Sequence, residues 1–144
     1  MNLNQMMEKP KINDIYKFDF SFTDEEVKIY AKISGDCNPI HVSEDYGKES
    51  FFGKCIVHGY YSISIFSKIY GTVLYPDEHI LVSQNATYLK PIFTGIAYTA
   101  VFTVKDLFTE KNRVLYTNEI FEKSTGEIKI TGESVLMNKK HYNW

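Results

Sequence analysis

The run Tyr30-Ala31-Lys32-Ile33-Ser34-Gly35-Asp36-Cys37-Asn38-Pro39-Ile40-His41 passes from a helical pattern into a polar loop. On its N-terminal side, Val27, Tyr30 and Ala31 recur at helical spacing, and Gly35 supplies the stop. Thr23, followed by Glu26 three residues later, reads as the capping box that starts this helix. On its C-terminal side, residues 35–55 form a polar connection with glycine and proline. It is longer than most loops in compact domains, and long ordered loops are often functional. Asp36 and His41 lie five positions apart in a loop stiffened by Pro39. An acid and an imidazole so placed can face one small molecule, as general acid–base chemistry requires. Asn38 carries donors and acceptors that can anchor the loop. The same residues also suit a plain turn in which Asp36 and Asn38 cap backbone groups.

The next cluster outward is Ile56-Val57-His58-Gly59, which leads into an apolar helix expected over residues 57–71 and buried on nearly all sides. A helix start exposes backbone N–H groups with partial positive charge. A glycine there admits a ligand close to the backbone, where an enolate oxygen can be stabilised. Gly59 equally suits tight helix–sheet packing, and His58 reads first as a structural histidine bonded to a neighbour. A competing constellation is zinc held by Cys37, His41, Cys55 and His58, four ligands at compact spacings. Against it, the first pair brackets Asn38-Pro39-Ile40 and the second runs straight into the apolar helix.

Beyond these clusters the pattern is strand-like. Alternation marks residues 15–22, 80–89, 97–107, 114–121 and 128–136, with Ser124-Thr125-Gly126 as a turn. The order is strand, helix, long loop, buried helix and four strands. This gives an α+β fold, an antiparallel sheet wrapped around one long central helix. Residues 1–14 read as a loose N-terminal leader and 15–144 as a single domain. With 44% hydrophobic and 24% charged residues, the chain is globular rather than disordered. A net charge of -2 without a basic stripe argues against nucleic acid and membrane surfaces as partners. The most apolar region, 56–74, is broken by His58, Ser62, Ser64, Ser67 and Lys68 and is too polar to span a bilayer. The N-terminus has no apolar signal core, so a cytoplasmic chain with reduced Cys37 and Cys55 is expected.

The Gly35-Asp36-Cys37-Asn38-Pro39-Ile40-His41 run resembles the hydratase-2 motif of the MaoC-like dehydratases and R-specific enoyl-CoA hydratases. Phe52-Gly53, Ile56-Val57-His58-Gly59, Phe66-Ser67, Gln84, Tyr88-Leu89-Lys90-Pro91 and Thr131-Gly132-Glu133-Ser134 follow in the family's order, so the likeness covers residues 16–138. Two departures stand out. Gly47 replaces the usual Ala or Ser, a change expected to matter little. Leu74-Tyr75-Pro76-Asp77 stands where the family often has Leu-Pro-Gly, which bears on pocket shape.

The resemblance implies a hot-dog fold, with a helix of about Gly59 to Gly71, and a homodimer or higher state in which sheets run on between subunits. It implies reversible syn addition of water to a trans-2-enoyl thioester, giving an (R)-3-hydroxyacyl thioester. Asp36 and His41 carry over as the catalytic pair, Gly59 as oxyanion donor, Asn38 as loop anchor and Ser67 as support. Ile56, Val57, His58 and Tyr60 fall where substrate binds. No metal or other cofactor is implied, since the thioester is the electron sink. The carrier is coenzyme A, or the acyl-carrier protein of a 3-hydroxyacyl dehydratase. A hot-dog thioesterase or a non-catalytic acyl-CoA-binding domain are the rivals; the first has no use for the Asp36–His41 loop, and the second usually loses it. The rings of Phe51, Phe52, Tyr60, Tyr61, Phe66, Tyr70 and Tyr75 point to a short acyl tunnel, preferring C4 to C6 groups.

Overall fold

The computed structural model describes residues 8–75 and 77–144. Residues 1–7 of the expected leader and Pro76 lie outside the described residues. The elements are β1 (Ile15–Phe20), α1 (Asp24–Ser34), α2 (Pro39–Val42), α3 (Glu44–Glu49), α4 (Gly59–Lys68, continued as a π-helix over Ile69–Leu74), β2 (Ile80–Tyr88), β3 (Tyr98–Phe108), β4 (Arg113–Glu122) and β5 (Ile128–Met137). The five strands form one antiparallel sheet in the order β1-β3-β4-β5-β2. The helical run from Gly59 to Leu74 packs against it, the hot-dog arrangement expected from the sequence.

Local chemistry explains most boundaries. Glu26 N–H donates to Thr23 Oγ1 at 3.2 Å and Thr23 N–H to Glu26 Oε2 at 2.8 Å, so the capping box forms as read. Gly35 ends α1 at φ 80°, a left-handed conformation that costs glycine little. On β3, Tyr98, Ala100, Phe102 and Val104 alternate inward and are fully buried. Phe66 and Tyr70 meet Phe102 edge-on, with centroids at 5.4 and 5.0 Å. This is the geometry aromatic quadrupoles favour, and it binds the helix to the sheet.

Three expectations need correction. The stretch 35–55 is not a continuous loop: it holds α2 and α3, each too short to display a helical period. Gly71 does not end the long helix, because the buried Leu74 and Tyr75 draw the chain on through a π turn. Nor is that helix buried all round, since Tyr60, Ser67, Lys68, Gly71 and Thr72 are exposed. Of the leader, residues 8–14 are tied down. Asn13 N–H donates to Val104 O and Val104 N–H to Asp14 O, both at 2.9 Å, and Pro10 is buried.

Gly47 departs from expectation too. A Cβ there would sit 2.5 Å from Cys55 N and 2.8 Å from Lys54 C, both backbone. The segment after α3 has closed onto the glycine, so the family's Ala or Ser has no room in this chain.

His79 links the long helix to the sheet: its Nδ1–H donates to Tyr70 O at 2.7 Å and its Nε2 accepts from Tyr142 O–H at 2.7 Å. Burial pushes its pKa down to about 4; the bond to Tyr70 O opposes this and the charge of His141 adds to it. The unfolded chain takes up this proton near pH 6.5 and the folded chain does not. Stability is therefore full above about pH 6.5 and falls as pH drops toward 4, by up to about 3 kcal/mol. Thermal melts at pH 7 and pH 4.5 should show this fall, and His79→Gln should reduce it. An undiminished fall in the variant would assign the acid sensitivity to other groups.

Candidate active site

Three side chains converge at the start of α4. A carboxylate oxygen of Asp36 and one ring nitrogen each of His41 and His58 lie within 4.8 Å of one another. Asp36 and Asn38 also serve the turn: Asn38 N–H donates to Asp36 Oδ1 at 3.2 Å, and Ile40 N–H to Asn38 Oδ1 at 3.3 Å. Asn38 thereby caps α2, and Pro39 occupies its first turn, where the missing N–H costs nothing. One turn of helix thus carries His41 back toward Asp36. Both the turn reading and the clustering of the pair hold together.

Backbone carbonyls fix the protons on both imidazoles, because a carbonyl can only accept. His41 Nδ1–H donates to Ile56 O at 2.8 Å, so in the neutral ring Nε2 is the acceptor. His58 Nε2–H donates to Asp36 O at 2.9 Å and holds the loop from behind. The two rings stack at 3.9 Å with 27° between planes, and Tyr30 packs edge-on against His58 at 4.8 Å. His58 is buried, and its Nδ1 has no hydrogen-bond partner.

The four-ligand zinc reading does not match this geometry. Cys37 Sγ–H turns to Ala31 O and Cys55 Sγ–H to Ser43 O, so neither thiol joins the cluster.

Gly59 opens α4, and the first helical bond in this turn is Ser62 N–H to His58 O at 2.8 Å. The N–H groups of Gly59, Tyr60 and Tyr61 precede it, and His58 provides no side-chain cap. The helix therefore presents uncapped donors beside the acid–imidazole pair. Tyr88 O–H donates to Gly59 O at 2.9 Å and braces this turn from β2. The sequence reading placed Tyr88 in the Tyr88–Pro91 run but missed this role, across 29 residues; strand alternation, putting Gln84, Ala86 and Tyr88 on one face, is the signal that points to it.

Two adjoining cavities that share Tyr60, Ile63 and Gln84 make a groove between α4 and β2, one of about 290 Å³ beside Gly59 and one of about 440 Å³ beside Ser67, Tyr70 and His79. Of the seven bulky rings, Tyr60, Phe66 and Tyr70 line it. Phe51 is 98% exposed, while Tyr75 is buried with its hydroxyl donating to Glu8 O. Ile56 bonds His41 through its carbonyl, and Val57 is a core residue with its N–H on Ile92 O. Ser67 lies eight residues beyond Gly59, roughly 12 Å along the helix. It faces the groove and makes no hydrogen bond to Asp36 or His41 among the described residues.

The profile of the MaoC like domain matches residues 8–124 of the chain. The chain belongs to the MaoC-like family. An (R)-specific enoyl-CoA hydratase of Rhodospirillum rubrum is 32% identical over 117 residues, 81% of this MaoC-like chain and 80% of the relative. The solved (R)-hydratase from A. caviae, involved in PHA biosynthesis, superposes with a TM-score of 0.83 at 29% identity. It covers 90% of this chain, which covers 97% of it. A mitochondrial 3-hydroxyacyl-(acyl-carrier-protein) dehydratase of Arabidopsis thaliana is 26% identical over 129 residues, 88% of this chain and 76% of the relative.

Proposed function

We propose that this MaoC-like protein is an (R)-specific enoyl-CoA hydratase, working reversibly as a 3-hydroxyacyl-CoA dehydratase. The observation that carries the reading is the Asp36 carboxylate within 4.8 Å of a ring nitrogen of His41, whose Nδ1 is held by Ile56 O, at the uncapped start of α4. The thioester oxygen accepts the Gly59 N–H, which draws electron density from C3. Water donates one hydrogen to Asp36 and the other to His41 Nε2. As its oxygen bonds to C3, Asp36 takes a proton and the C2–C3 π pair moves to the enolate oxygen. The enolate then collapses, and the pair returns one proton to C2 on the same face. Both groups face the same water, so the pair is the catalytic unit.

The same chemistry on an acyl-carrier-protein thioester is the second reading, supported by the plant relative. Assaying enoyl-CoA and enoyl-carrier thioesters in parallel separates the two. Release of free thiol instead of hydration would show a thioesterase.

The substrate supplies its own electron sink, so the reading needs no metal or organic cofactor. Full activity after chelation and dialysis is the expected result. Stoichiometric metal whose removal abolishes activity would contradict it.

The reading includes a homodimer. β2 is an edge strand, and Ile80, Leu81, Val82, Tyr88 and Leu89 on and just after it are 40–53% exposed. An unpaired apolar edge of this kind favours pairing with a second copy. Ser67 would then support the second copy's acid–imidazole pair rather than its own, a role its exposure favours. Light scattering at micromolar concentration should give twice the chain mass or a multiple of it; a fully active monomer would contradict the dimer.

Among the described residues, no helix is long and apolar enough to cross a membrane. The two free thiols favour a reducing cytoplasm. Neither nucleic acid nor a membrane enters the proposal.

A further inference from the structure

The wide end of the groove is bordered by Tyr70 and His79, which belong to a directional relay of hydrogen bonds that the hydration chemistry does not use. Tyr70 stands there, in the π-helical turn. Its phenol oxygen accepts Asn118 Nδ2–H at 2.6 Å, and its ring packs on Phe102 and Tyr116. Its carbonyl accepts His79 Nδ1–H. With that proton on Nδ1, Nε2 accepts from Tyr142 O–H, so the Tyr142 oxygen must accept from Tyr116 O–H at 2.8 Å. Each proton in the series has one possible direction.

Tyr142 is fully buried, on the segment that follows β5. Asn112 Nδ2–H donates to Tyr142 O at 2.6 Å, and Tyr142 N–H to Asn138 O at 2.9 Å. Asn138 Nδ2–H and His141 Nε2 bond Asp77 O and Oδ1, at the turn that leads into β2. The segment after the sheet is thus fastened beneath the groove and reaches its wall through one side chain. A π turn is the part of a helix least committed to a single hydrogen-bond pattern, and such turns occur often at functional sites. Here an outside donor from His79 holds its carbonyl.

We propose that Tyr142, acting through His79, is a specificity-determining residue: it holds the π turn at Tyr70 as the end wall of the acyl groove and so limits acyl length. This rests on the hydratase reading above. A longer acyl chain reaches this wall and needs the turn to yield, while a four-carbon chain does not. Tyr142 touches neither the reacting atoms nor the groove, so its loss acts on length preference rather than on chemistry.

The test is kcat/KM for C4 and C8 enoyl-CoA in wild type, Tyr142→Phe and Tyr116→Phe. Tyr142→Phe keeps the ring but removes the bond to His79, and the C8:C4 ratio should rise roughly tenfold. Tyr116→Phe removes a buried hydroxyl from the same relay but leaves the Tyr142–His79 bond, and its ratio should stay at the wild-type value. Should Tyr142→Phe fail to fold, the Tyr116→Phe/Tyr142→Phe double variant deletes both partners of one bond and should show the same rise. An unchanged ratio in the folded Tyr142→Phe or double variant, or an equal rise in Tyr116→Phe, overturns the proposal. So does a wild type fastest at C8, which leaves the hydratase reading standing. A wild type inactive at both lengths overturns the hydratase reading and this inference with it.

Discussion

Asp36→Ala and His41→Ala are each expected to lower kcat for enoyl-CoA hydration by about 10²–10⁴, the usual worth of a positioned acid–base group. Both side chains sit on a loop whose shape depends on other atoms. Asn38 caps α2, and His58 holds the Asp36 carbonyl. Asp36 is exposed and His41 half-buried, so neither truncation opens a cavity in the core. Removing Asp36 costs the turn one hydrogen bond, from Asn38 N–H, worth about 1 kcal/mol. The variants should therefore fold and keep the wild-type oligomeric state. The double variant should be barely slower than the worse single one, because residues acting as one unit lose most of their effect together. Near wild-type hydration by either folded single variant would remove the pair from the mechanism.

Gly59→Pro is expected to lower kcat by about 10²–10³, the effect of deleting one oxyanion donor. Proline is favoured at the first position of a helix, where its missing N–H has no intrahelical partner. The preceding residue must be extended, and His58 already is, at φ -52° and ψ 138°. The substitution therefore removes the Gly59 N–H and spares the helix. A Cβ at this position would lie 3.2 Å from the Tyr88 ring, so that ring must shift by a few tenths of an ångström. Tyr88 is 47% exposed and has room to do so. Gly59→Ala makes the same demand while keeping the N–H, and should lose far less. Equal losses in the two variants would assign the effect to crowding rather than to the lost donor.

The parts of this protein that were legible in its sequence are those written in adjacent residues. The Thr23–Glu26 box, the left-handed Gly35 and the alternation of β3 are each settled within one turn or one strand, so the local pattern sufficed. The catalytic candidates were legible for the same reason: Asp36 to His41 is one short run, and His58-Gly59 another. What the sequence left open depends on partners far along the chain. The long helix passes Gly71 where the Tyr70 carbonyl is captured by His79 and Leu74 is buried. The clearance at Gly47 is set by the path of residues 54 and 55. The brace on Gly59 comes from Tyr88, and the His41 proton is fixed by the carbonyl of Ile56. Ring size in the α4 region is visible in the sequence but direction is not, so Phe51 and Tyr75 read as groove residues although one is exposed and the other is buried in the core.

The most direct test of the account is incubation of the purified protein with crotonyl-CoA, following the enoyl-thioester absorbance and then the configuration of the product. The account predicts loss of the absorbance to an equilibrium reached also from (R)-3-hydroxybutyryl-CoA, with the (R) product alone. An unchanged absorbance, an (S) product, or release of free coenzyme A in place of hydration would contradict it.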